Sequence, residues 1–246
     1  MNLLDLELTK TNDFCKNKEP KLTVVLIHGI ASDSHSFDKA IDYFKNDSNL
    51  DDIRFVSFDL LGSGKSLKSD ELDYNYREQL SAMHRAIKNL NARTPIILVG
   101  HSLGTFIVTR YASKYPKGIA KILLISPPDY TRKDFDNPAF AVGIEAFRRA
   151  VSIKNSAYLI EKSFNNSMQN IVLDKNNYDY LSKMTIPTTL IYGGEDQLIA
   201  SYNIPALKKA NPGISAFKTV GRHGVTHDKY SIMAKLLMEE LNAQNI

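Results

Sequence analysis

The sequence predicts an α/β fold with a mostly parallel sheet of about seven strands flanked by helices, and three observations carry that expectation. Short β-branched apolar runs alternate with amphipathic stretches along most of the 246 residues. Each run ends in a loop of small residues. The run that opens the pattern is apolar almost throughout rather than alternately polar, as a strand covered on both faces must be.

The first run is LTVVLI (22–27), which leads into HGIASDSH. The second, IRFVSF (53–58), precedes DLLGSGKS, and the third, PIILVG (95–100), runs straight into HSLG. Between them SFDKAIDYFK and NYREQLSAMHRAIKNL have helical spacing, and LGTFIVTRYASKY follows the third run until Pro116 stops it. This βαβα order is that of a parallel sheet with helices on both faces. KILLIS (121–126), PTTLIY (187–192) and SAFKTV (215–220) continue the pattern, and a closing helix is expected from about Thr226 to Leu241. The stretch 128–185 contains the helical segments PAFAVGIEAFRRAVSI and SAYLIEKSFNNSM but no convincing strand. It reads as a small helical cap inserted into a core made of 1–127 and 186–246. Ahead of the first run, NDFCKNKEPK does not read as a strand.

Composition narrows the function classes. The 31 basic and 27 acidic residues are mixed along the chain, with no basic block that would track phosphates, so nucleic acid is not an expected partner. Cys15 is the only cysteine, which excludes an internal disulfide and fits a reducing compartment. The start, MNLLDLELTK, has acids among its leucines and neither a basic opening nor a small-residue cleavage site, so a cytoplasmic location is expected. No apolar run approaches the roughly 18 residues of a membrane span.

The chemistry is carried by GHSLG (100–104), which fits G-x-S-x-G and lies between a buried strand and a helix. At so sharp a turn, Gly100 and Gly104 make room where side chains would meet the neighbouring strand and helix. Ser102 is therefore the candidate nucleophile. A serine hydroxyl is a poor nucleophile near neutral pH, so it needs an imidazole base, and that base needs a carboxylate to fix its tautomer. Loops at the C-terminal ends of parallel strands share one edge of the sheet. PTTLIY is followed by GGEDQLI, which brings Asp196 to that edge, and SAFKTV is followed by GRHGVTHD, which brings His223 and His227. Asp129, after ILLISPP, is the rival acid; Glu195, next to Asp196, is expected to face solvent.

These motifs together, from LIHG through DLLGSGKS, GHSLG and GGEDQLI to the terminal histidine loop, resemble the α/β-hydrolase family in order and spacing over nearly the whole chain. The resemblance implies an α/β-hydrolase fold and a Ser102–His–Asp196 triad acting on a small-molecule acyl or ester substrate. It also implies that the backbone amides of Ile30 and Leu103 form an oxyanion hole, and that the DLLGSGKS loop has a structural role. His28, Gly29 and His101 flank these motifs and are the candidate substrate contacts, although loop packing also explains the two histidines. His223 is preferred as base because Asp228 follows it as an acid often follows the family's histidine. The family's usual preceding glycine is replaced by Arg222 before His223 and by Thr226 before His227, which leaves both histidines open. Family members often begin with an antiparallel strand pair, which the short leader here does not suggest.

Rival readings fail on particular residues. GSGKS resembles the end of a phosphate-binding loop, but the first glycine of that motif would fall at Asp59. No H-E-x-x-H or comparable ligand set calls for a metal, and no cofactor is required. A binding protein on the same scaffold, an acyltransferase and a carbon–carbon bond hydrolase all remain compatible with these residues. Phe140, Ile144, Phe147 and Val151 form a helical stripe in the cap, expected to pack on the core more than to touch substrate. Neither substrate nor oligomeric state is legible.

Overall fold

The computed structural model describes residues 2–152, 158–174 and 176–243. Seven strands form one sheet: β1 (Thr9–Phe14), β2 (Leu22–Ile27), β3 (Ile53–Asp59), β4 (Ile96–His101), β5 (Ile119–Ile125), β6 (Thr188–Gly193) and β7 (Ile214–Thr219). Their order is β1-β3-β2-β4-β5-β6-β7, and every neighbouring pair is parallel except β1 with β3. Three helices connect the early strands: α1 (Asp38–Lys45), α2 (Tyr76–Asn89) and α3 (Leu103–Lys114). The stretch between β5 and β6 carries α4 (Arg132–Phe135), α5 (Pro138–Ser152), α6 (Tyr158–Ser167) and α7 (Asn177–Ser182), and α8 (Ile204–Ala210) and α9 (His227–Ala243) complete the chain.

The apolar central strands explain the layering. All six residues of β2 are buried. Because side chains alternate along a strand, Val25 and Ile27 join one apolar cluster while Leu22, Val24 and Leu26 join the other. The first cluster receives Met83 and Ala86 of α2 and Phe106 and Ile107 of α3; the second receives Ile41 and Phe44 of α1 and Met233 and Leu237 of α9. Helix α2 starts where the sequence supplies a reciprocal cap, with Asn75 accepting from the Glu78 amide and Glu78 accepting from that of Asn75.

The leader does contain a strand, contrary to the reading of NDFCKNKEPK. β1 was hidden because polar contacts rather than apolar alternation hold it. Arg54 donates twice to the Asp13 carboxylate, both at 2.7 Å, and Thr11 and Asn12 reach the Ser57 hydroxyl at 2.9 Å. A shift in register between Lys10 and Asn12 leaves Thr11 as a bulge.

Candidate active site

The loops that follow β2, β4, β6 and β7 meet at one edge of the sheet. Ser102 stands between the last residue of β4 and the first of α3 with φ 50° and ψ −117°, a conformation that L-residues seldom adopt. Contacts on every side impose it. The Ser102 amide donates to Ile125 O at 3.0 Å, and its carbonyl accepts from the Thr105 amide at 2.9 Å and hydroxyl at 2.6 Å. A Cβ at Gly100 would lie 2.5 Å from Gly104 O, and one at Gly104 only 2.3 Å from Ile27 O. Both glycines are thus required by close backbone approach across the turn.

The amide of Leu103 opens α3, and that of Ile30 lies in the loop after β2. Among the described residues neither amide donates to a protein acceptor, the condition in which such groups can receive an anion. His28 anchors this loop from below: it is buried, its Nδ1–H donates to Gly29 O at 2.7 Å, and its Nε2 accepts from the Leu60 amide at 2.9 Å. Burial holds its pKa below the ordinary value, so the ring is a neutral structural pin. Asp59 completes the platform, accepting from the amides of Ser34 at 2.9 Å and Lys65 at 2.7 Å.

Asp196 and His223 are brought together by an equally tight approach. Gly193 has no side chain where a Cβ would stand 2.2 Å from Gly221 O, which lets the loops after β6 and β7 run side by side. The Glu195 amide donates to Gly221 O at 3.0 Å. His223 Nδ1 then lies 3.0 Å from Asp196 Oδ1 and 2.9 Å from Oδ2. Burial alone would raise the Asp196 pKa, but hydrogen bonds from His223, the Leu198 amide and the Ser126 hydroxyl bring it below the ordinary carboxylate value. The carboxylate is therefore ionised at neutral pH and fixes the proton of His223 on Nδ1, leaving Nε2 free to accept.

Ser102, Ile30 and His223 line one cavity of about 220 Å³. Phe140, Ile144 and Phe147 of α5, together with Tyr130 and Met168, make its remaining wall mostly apolar. The expected stripe thus does both things, since the same three residues also pack against the core. Its fourth position, Val151, lies outside the residues whose side chains are described.

Other candidates are placed elsewhere. His227 begins α9 with its side chain 67% exposed, and its ring sits 5.4 Å from Tyr43 and 5.1 Å from Tyr230. It does not line the cavity. Neither His28 nor His101 lines this cavity; His101 Nε2–H donates to His223 O at 2.9 Å, its Nδ1 is buried without a partner among the described residues, and burial pushes its pKa down to about 3. Gly29 faces a neighbouring cleft that shares Ile30 with this cavity and is also lined by Leu103, Ser63 and Lys68. Glu195 is exposed.

Asp129 is fully buried, and neither of its carboxyl oxygens has a partner among the described residues. Desolvation raises its pKa to about 7. The folded state therefore holds this proton more tightly than the unfolded chain does. The carboxyl's contribution to stability is complete below pH about 4 and declines until the pH passes about 7. Asp129→Asn is expected to stabilise the protein at pH 8 by about 2–4 kcal/mol and to flatten this part of the pH–stability curve. Urea unfolding at pH 5 and pH 8 checks it.

Lys229 and, through it, Ser126 also reach the site, although the sequence did not single them out. Lys229, fully buried in α9, donates to Ser126 Oγ at 2.7 Å and to the carbonyls of Arg222 at 2.6 Å and Gly224 at 2.8 Å. Its signal was its place on the buried stripe Lys229–Met233–Leu237 of α9, where only apolar residues are expected. Among the described residues no cluster of side chains could hold a metal ion, and no helix is long and apolar enough to cross a membrane.

A family model described as alpha/beta hydrolase fold matches residues 23–154. Among curated proteins the chain is 32% identical over 135 residues to "Probable lysophospholipase BODYGUARD 2" of Arabidopsis thaliana, covering 55% of this chain and 29% of that protein. It is 23% identical to "Lipase 1" of Psychrobacter immobilis, covering 77% of this chain and 67% of the lipase. The chain therefore spans less than a third of the length of the plant relatives it matches. The solved esterase of Exiguobacterium antarcticum superposes with a TM-score of 0.71 at 18% identity, covering 96% of this chain and 95% of that one.

Proposed function

The chain belongs to the α/β-hydrolase family, and from that premise we propose that it hydrolyses a carboxylic ester or related acyl bond through Ser102, His223 and Asp196. The observation that carries this reading is that His223, on the wall of the cavity that Ser102 also lines, is paired with a buried, ionised Asp196. Ser102 Oγ attacks the carbonyl carbon as His223 Nε2 takes its proton. The developing oxyanion is held by the Ile30 and Leu103 amides, each worth about 3–4 kcal/mol in the transition state. Collapse expels the alcohol, which receives the proton from His223. A water molecule, deprotonated by the same imidazole, then releases the acid and restores Ser102.

The segment 128–185 acts as a cap that chooses the substrate. Its α5 supplies Phe140, Ile144 and Phe147, so the acyl or alcohol group accepted beneath it is apolar and of modest size. The names of the relatives, a probable lysophospholipase, a lipase and an esterase, support an ester bond as the target.

A fluorophosphonate probe followed by peptide mass spectrometry tests this reading. The expected adduct is on Ser102 alone, with parallel hydrolysis of p-nitrophenyl esters that falls off as the acyl chain outgrows the cavity. Labelling at another residue, or binding of esters without turnover, would overturn it.

A further inference from the structure

The loop that carries His223 is held in place by side chains more than by the backbone. Between Gly221 and Thr226, the carbonyls of Arg222, His223 and Gly224 accept from Lys229, His101 and Lys229 in turn. The backbone hydrogen bonds of this stretch lie at its ends, at Gly221 O and Thr226 O. An imidazole that must reach both a serine and an aspartate is thus mounted on a segment whose middle is fixed by one ammonium group and one ring.

The ammonium also reaches the acid. Its third acceptor, Ser126 Oγ, belongs to a residue at φ 49°, and the Ser126 hydroxyl is one of the groups that keep Asp196 ionised. Three N–H donors meet three neutral oxygens, so the hydrogen-bonding capacity of the buried amine is fully used. A buried lysine serving only as core filler would need none of this, and an apolar residue would pack there without desolvating a charge.

The geometry points to Lys229 as a positioning residue for the base: by clamping the carbonyls on either side of His223 and the hydroxyl beside Asp196, it sets the reach of the imidazole toward Ser102. The inference rests on the triad reading above. A misplacement of the order of 1 Å at a general base lowers rates about 10²-fold without altering the apolar contacts that bind substrate.

Lys229→Met is therefore expected to lower kcat on p-nitrophenyl esters by about 10²-fold, with KM within about threefold of wild type. Placed on top of His223→Ala it should cost nothing further, because the group it positions is already gone. The pH profile supplies an independent readout. Desolvation lowers the Lys229 pKa to about 8, and Asp196 and His101 are the titratable groups that act on it or feel it. Above that pH the neutral amine has one donor fewer, so wild-type kcat should fall on an alkaline limb near pH 8 that Lys229→Met lacks. A folded Lys229→Met protein with wild-type kcat, or an equal loss of rate with and without His223, overturns the proposal. Should that variant not fold, Ser126→Ala removes one acceptor of the ammonium together with one donor to Asp196; a loss of about 3- to 10-fold in kcat with a shifted alkaline limb is expected, and an unchanged alkaline limb overturns it. Retention of activity by Ser102→Ala would instead strike the triad reading itself.

Discussion

Ser102→Ala is expected to lower kcat by about 10⁴- to 10⁶-fold and to abolish fluorophosphonate labelling, while the protein unfolds at the wild-type temperature. The first part follows from the proposed mechanism: without the oxygen no acyl-enzyme would form, and His223 would have nothing to deprotonate. The second follows from the turn. What holds residue 102 at φ 50° is the close packing of Gly100 and Gly104 and the bonds of its own amide and carbonyl, and alanine keeps all of these. The Ser102 hydroxyl has no protein partner among the described residues, so its removal orphans nothing. An ester assay, a labelling gel and a thermal melt on one preparation test all three points.

Asp196→Asn is expected to lower kcat by about 10⁴-fold. An asparagine at this position can turn its amide N–H toward Nδ1, which pulls the imidazole into the tautomer with its proton on Nε2. That tautomer cannot accept from Ser102. Because the folded-state pKa of Asp196 is depressed, its stabilising contribution is present above the unfolded carboxylate value and is lost only as the pH falls through the lower one. Asn at 129 provides the contrast: it neutralises the rival acid and should leave turnover within about twofold of wild type. His227→Ala belongs with it, since that ring packs against Tyr43 and Tyr230 outside the cavity. Steady-state rates of the three variants side by side separate the acids and the histidines.

These contrasts mark how far the sequence could be read. The buried strands were legible because their environment is uniform: LTVVLI and PIILVG need only be apolar and β-branched to be covered on both faces. GHSLG was legible because backbone crowding tolerates nothing but glycine at two of its positions. The choice between His223 and His227 was not, because both follow β7 and only the crossing of the Gly193 and Gly221 backbones decides which imidazole meets Asp196. β1 escaped because a strand stabilised by Arg54–Asp13 and Ser57 has no apolar signature. Lys229 escaped for the opposite reason, a cation on an apolar stripe whose acceptors come from residues 126, 222 and 224.

The border strand Thr9–Phe14 has one more effect. An unpaired outer ladder invites other chains to extend it, and flat apolar borders do so most readily. Here an arriving chain would meet Lys10, Asn12 and Asp13 and a ladder broken at Thr11. Concentrated solutions should accordingly resist fibril growth from this side, and substitutions that straighten the break and replace its charges with valine should be the ones that seed it.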